Sequence, residues 1–121
     1  MRIFDANAIL RYILNDNKEM ADKTAEYISK GNILILNEVI AEVVFVLSGK
    51  IYQISRERIR DSLIEFLNEV YSQDKNLIKA LEIYAETKLD FVDSLLCAYS
   101  ANHEIVTFDK KLLKYIEKED L

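Results

Sequence analysis

Proline is absent from all 121 residues of this chain, and glycine occurs only twice. Chain reversals therefore have few dedicated residues. Such a chain suits long helices joined by short connections built from Asn, Asp and Ser. Half of its residues are hydrophobic, enough for a core, so disorder, collagen-like repeats and low-complexity linkers are excluded. At this length, one domain spanning residues 1–121 is expected.

Hydrophobic periodicity divides the chain into alternating elements. Residues 2–5 read as a short strand running into a helix over 6–14. Asn15, Asp16 and Asn17 form a turn. A helix over 18–30, with Met20, Ala21, Thr24, Ala25 and Ile28 as its apolar stripe, ends at Gly31. Residues 33–36 form an apolar run that fits a strand buried on both faces. Asn37, Ser55, Asn76 and Asp90 are candidate caps for the helices that follow, the last two over 77–88 and 91–101. Residues 104–107 read as a strand, and 110–116 as a last short helix. Strands alternating with helices imply an α/β fold with a central, mainly parallel sheet. Four to five strands are expected, with the missing ones near 70–73 and near the C-terminus.

Acidic residues recur where such strands end and helices begin. Ligands bind there in open parallel sheets. Asp5 follows the first strand and Asp109 the last. Glu38 and Glu42 share a face of the helix after the second strand, and Asp90 and Asp93 share the first turn of another. All lie among apolar neighbours, and Glu42 in IAEVV has little reason to be there except an interior role. Taken singly, Asp5, Asp90 and Asp109 also suit helix caps, and Glu38 suits a helix dipole. Taken together at one end of a sheet, they would repel unless a cation neutralised them. An all-oxygen set suits Mg²⁺ or Mn²⁺, the apparatus of phosphodiester hydrolysis. His103 and Cys97 are the only softer ligands, which argues against zinc. His103 reads as a surface residue and Cys97 as a core thiol. Two glycines cannot build a phosphate-cradling loop, and one histidine has no nucleophile set against it. The Tyr and Phe residues read as core, not as a base-stacking row.

The segments RIFDANAILRYIL, VIAEVVFVL, LDFVDSLLCAYSANH and IVTFDKKL resemble, in order and spacing, the PIN domain family, and within it the VapC-type toxins of toxin–antitoxin pairs. The likeness runs from Arg2 to about Ile116. It implies a three-layer α/β/α sandwich and a Mg²⁺- or Mn²⁺-dependent endoribonuclease acting on single-stranded RNA. It also implies a homodimer silenced by a cognate antitoxin. Carried over by position, the catalytic and metal-binding acids are Asp5, Glu42, Asp93 and Asp109, with Asp90 assisting. Asn7 and Thr107 are polar supports beside the first and last acids. One departure is Ala6, where the family commonly has Thr or Ser, so a supporting hydroxyl is missing. A catalytically silent binding module and a housekeeping RNA-processing nuclease are the alternatives.

RNA needs local cations. Lys110, Lys111 and Lys114 directly follow Asp109, and Arg11 lies on the helix after Asp5. Tyr12, Ile13, Val46, Leu47 and Tyr52 exceed what a small core needs and suit a dimer face. No apolar run approaches the ~18 residues of a membrane span. Asp5 comes too early for a signal peptide and a lone cysteine forms no internal disulfide, so a cytoplasmic protein is expected. The net charge is −5. Four of those charges belong to the proposed site, which leaves −1 for everything else.

Overall fold

The computed structural model describes Met1–Glu119, with the side chain of Glu119 left aside. The contacts divide the chain into two units, Met1–Gln73 and Asp74–Leu121.

In the first unit, β1 (Arg2–Ile3) leads into α1 (Ala6–Leu14) and α2 (Lys18–Lys30) before β2 (Ile33–Leu34). The two strands pair in parallel, Arg2 opposite Ile33 and Ile3 opposite Leu34. The turns between them are closed by the residue types that tolerate positive φ. Asn15 (φ 51°) ends α1, and Gly31 (φ 72°) ends α2. Asn17 caps α2 through a 3.0 Å bond from the Met20 amide. α3 (Asn37–Ser48) buries Ile40, Val43, Val44 and Leu47, and α4 (Arg56–Glu69) buries Ile59, Leu63, Phe66 and Leu67. These sets follow the three- and four-residue steps of one helical face. Removing such a side chain from water contributes about 1.5–3 kcal/mol. The Tyr12 ring packs 6.0 Å from that of Phe66, and its hydroxyl donates to the Glu69 carboxylate. That bond first, then burial and the neighbouring carboxylates, push the Tyr12 hydroxyl up to about 12.

The second unit is helical. α5 (Lys75–Glu86) buries Leu77, Ala80, Leu81, Ile83 and Tyr84, and α6 (Phe91–Tyr99) buries Phe91, Ser94, Cys97 and Ala98. The Tyr84 and Phe91 rings meet edge to face at 6.3 Å. The Ser94 hydroxyl is buried but satisfied, donating to the Asp90 carbonyl at 2.8 Å. α7 (Lys110–Glu119) buries Leu112.

The α/β character agrees with expectation, but the sheet departs from it. Among the described residues only β1 and β2 are strands. Residues 104–107 carry no regular structure, with Val106 83% exposed. Their apolar pattern has strand period, but a strand exists only where a neighbour pairs its N–H and C=O groups. Residues 70–73 close α4 as a turn, with Tyr71 at φ 56°. The strand expected near the C-terminus is helix as far as Glu119, and Asp120 and Leu121 lie outside the described residues. β2 is not buried on both faces, since Leu34 is 41% exposed.

Two caps also move. Leu36, with no side-chain bond, precedes α3, and Asn37 is its first residue. Asp74 rather than Asn76 caps α5, at 3.0 Å from the Leu77 amide, because an acid one residue ahead of the helix meets both its free amides and its dipole. No described helix is long and apolar enough to cross a membrane.

Candidate active site

Three of the predicted acids begin helices. The Asp5 carboxylate accepts from the Ala8 amide at 2.8 Å, and Asp90 accepts from the Asp93 amide at 2.8 Å. Asp109 accepts from the Lys111 and Leu112 amides at 2.9 and 3.1 Å. In each case the bonds end on a single carboxylate oxygen, Oδ1. The capping role read from sequence is thus real. It does not exhaust the side chain, because a carboxylate has two oxygens and about four acceptor positions. Thr107 supports Asp109 directly, its hydroxyl accepting from the Asp109 amide at 3.1 Å.

The second unit brings three of these acids under one another's influence. Burial holds the Asp93 carboxyl above the usual carboxylate range, and the charges of Asp90 and Asp109 raise it further. Lys111 acts in the opposite direction. Asp90 and Asp93 meet because both stand in the first turn of α6. Asp109 joins them from the start of α7, a helix packed on α6. Asp93 is thus a carboxylate that its surroundings penalise for being charged.

That is the condition a divalent cation relieves, and an all-oxygen donor set suits Mg²⁺ or Mn²⁺. Asp90, Asp93 and Asp109 therefore fit the hard cation that their chemistry implies. Among the described residues, no three His, Cys, Asp or Glu side chains already stand where they would hold an ion.

In the first unit, Asp5 and Asn7 are exposed, and Ala6 between them is buried. Glu42 departs from expectation. It is exposed, as is Glu38 one turn before it, because the buried stripe of α3 runs through Ile40, Val43, Val44 and Leu47. Apolar neighbours in sequence do not enclose an acid when the helix turns it 100° away from them.

The predicted cations divide between the units. Arg11 is held by Asp16 at 2.9 Å. Lys110, Lys111 and Lys114 are exposed on α7, and Lys111, Lys114, Tyr115 and Lys118 line a hollow of about 400 Å³. Tyr115 and Lys118 were missed by sequence reading. Their steps of four and seven from Lys111 along the same face were the signal available. If this face meets a single-stranded backbone, replacing both Lys111 and Lys114 by Ala lowers the slope of log affinity against log salt by about 1.4, at ~0.7 per phosphate contact. A fluorescence titration at several salt concentrations checks this.

Two further expectations need correction. Leu47 and Tyr12 are used inside the first unit, Leu47 at 1% exposure and Tyr12 against Phe66 and Glu69. Among the apolar side chains left outside are Phe45 and Ile51, at 78% and 88% exposure. The aromatics are also not uniformly core, since Tyr27, Phe45, Tyr71 and Phe108 are exposed. Cys97 is buried and His103 is exposed, as read from sequence.

Comparison with curated proteins and with solved structures returned no match. Comparison with protein families did. The model of one family, described as PIN domain, matches residues 2–118, a span that takes in both units and every acid discussed above. On that match the chain belongs to the PIN domain family.

Proposed function

We propose that this chain is a Mg²⁺- or Mn²⁺-dependent endoribonuclease that cuts single-stranded RNA, acting as the toxin of a toxin–antitoxin pair. PIN domains are generally nucleases and generally depend on divalent metals. The observation that carries the reading is the placement of Asp90, Asp93 and Asp109 at the starts of α6 and α7, where burial and the charges of Asp90 and Asp109 raise the Asp93 carboxyl.

Asp5, Asp93 and Asp109 are the proposed metal ligands, with Asp90 assisting. Such an ion, when bound, neutralises charge on the phosphate and acidifies a water. Glu42 orients that water and accepts its proton, a role that suits an exposed carboxylate on a rigid helix. Asn7 and Thr107 are the polar supports beside Asp5 and Asp109, and the Thr107 hydroxyl accepts from the Asp109 amide. Lys110, Lys111, Lys114 and Arg11 take the RNA backbone. Lys111, already acting on Asp93, is the cation we assign to the phosphate nearest the cut. A three-layer fold with a parallel sheet of four to five strands is part of this reading. Phe45 and Ile51 are assigned to a homodimer face, and the chain to the cytoplasm, where the antitoxin restrains it.

Purified protein is expected to cut single-stranded RNA with Mg²⁺ or Mn²⁺ and to stop with EDTA. Its expression is expected to arrest growth unless a neighbouring small protein is co-expressed. Cleavage without growth arrest would instead mark a housekeeping nuclease. The second reading is a catalytically silent RNA- or protein-binding module. It predicts no calorimetric signal at millimolar Mg²⁺ or Mn²⁺, whereas the nuclease reading predicts binding.

A further inference from the structure

Helix α2 carries a face that the core does not use. Lys23, Tyr27 and Lys30 recur at steps of four and three, so they lie along one side of the helix. The core takes Ala21 and Thr24, and Thr24, three residues before Tyr27, borders this face. Tyr27 is 39% exposed, the Lys30 ammonium lies 5.1 Å from the centre of its ring, and the Arg2 guanidinium lies 5.9 Å from it. Arg2 is held in place by a 2.9 Å bond to the Gly31 carbonyl. Beside this face is a pocket of about 260 Å³ whose lining includes Phe4, Asp5, Asn7, Arg11, Lys23 and Tyr27. The Arg11 Nε is buried with no hydrogen-bond partner among the described residues.

The chemistry of this pocket is specific to one ligand class. Phe4 and Tyr27 give an apolar and aromatic wall, which suits a nucleobase. Asn7 offers an amide able both to donate to and to accept from a base edge. Arg11 and Lys23 in the lining, with Arg2 and Lys30 beside the Tyr27 ring, gather positive charge on a chain whose net charge is −5, which suits phosphate. Aromatic wall, amide and cations together are what single-stranded nucleic acid binding uses. Asp5 lies in the same lining, so a nucleotide held here sits next to a proposed metal ligand.

We propose that this pocket is a nucleotide subsite for the RNA strand, with one base against the Tyr27 wall and its flanking phosphates on Lys23 and Lys30. The inference rests on the RNA reading above and deepens it, assigning Tyr27, Lys23 and Lys30 to substrate positioning beside the cut. Arg11 has a second function here besides its pairing with Asp16.

The test is binding without metal. A fluorescein-labelled single-stranded RNA dodecamer is titrated with the full chain in EDTA, and affinity is read by anisotropy. Tyr27→Ala is expected to weaken binding by about tenfold or more, and Tyr27→Phe to retain it. Lys23→Ala and Lys30→Ala are each expected to lower the salt slope by about 0.7. Circular dichroism and melting of each variant confirm that it folds. Wild-type affinity in folded Tyr27→Ala, or no RNA binding by the wild-type chain, overturns the subsite. The failure of the nuclease reading looks different. A chain that binds RNA through Tyr27 but never cuts it with Mg²⁺ or Mn²⁺ keeps the subsite and loses the enzyme. A chain whose KM and cleavage pattern are unchanged by Tyr27→Ala keeps the enzyme and loses the subsite.

Discussion

Asp93→Asn is expected to reduce RNA cleavage by about a thousandfold or more while the chain stays folded, since removing a single preorganised electrostatic group already costs about 10²–10³ in rate. The substitution is nearly isosteric and removes only the charge. In the metal-free protein it also removes a penalty. The Asp93 carboxyl is raised by burial and by Asp90 and Asp109, so its ionised form is disfavoured in the fold relative to the unfolded chain. A raised carboxylate destabilises above its folded pKa and has no effect below the unfolded value. Asp93→Asn is therefore expected to melt higher than wild type near neutral pH without metal, and the gap to close as the pH falls through the raised pKa of Asp93. Adding Mg²⁺ or Mn²⁺ is expected to raise the melting temperature of wild type more than that of the variant. Calorimetric scans across pH, with and without metal, read all three effects. A variant that cuts RNA at the wild-type rate would remove Asp93 from the chemistry.

Phe66→Ala is expected to destabilise the chain by about 3–5 kcal/mol, as large-to-small substitutions of buried aromatic residues do. Phe66 is 1% exposed, at the inner face of α4, and its ring supports Tyr12. Truncation opens a cavity and also loosens the Tyr12 ring, whose hydroxyl holds Glu69. Against a total stability of about 5–15 kcal/mol, that loss is enough to leave a substantial fraction unfolded at modest denaturant. Denaturant melts followed by circular dichroism measure it. A loss below about 1 kcal/mol would show that α4 contributes little to the first unit.

Helices were legible in the sequence because their ends are marked by side chains. Asp5, Asn17, Ser55 and Asp90 each accept the backbone amide expected of a cap. The stripes on α3 and α4 were legible through their periodicity. Strands were not, because a strand depends on what lies beside it, and residues 104–107 carry the pattern of a strand without the pairing. The acids were legible as a set of positions but not in their surroundings. Glu42 looked interior because its sequence neighbours are apolar, yet the helix turns it outward. Tyr27 was missed for the converse reason. One position from Ile28 in sequence, it is turned about 100° away from it, towards a lysine and an arginine.

The sharing of one side chain between helix capping and the proposed chemistry at Asp5, Asp90 and Asp109 has an evolutionary consequence. Asn caps a helix about as well as Asp, so a single-base change from an aspartate to an asparagine codon disarms any of these positions and leaves the helix start intact. A descendant carrying such a change keeps its shape, the lysines of α7 and its outer surfaces. In this architecture, losing the proposed nuclease while keeping the fold takes one mutational step, and recovering it takes one as well.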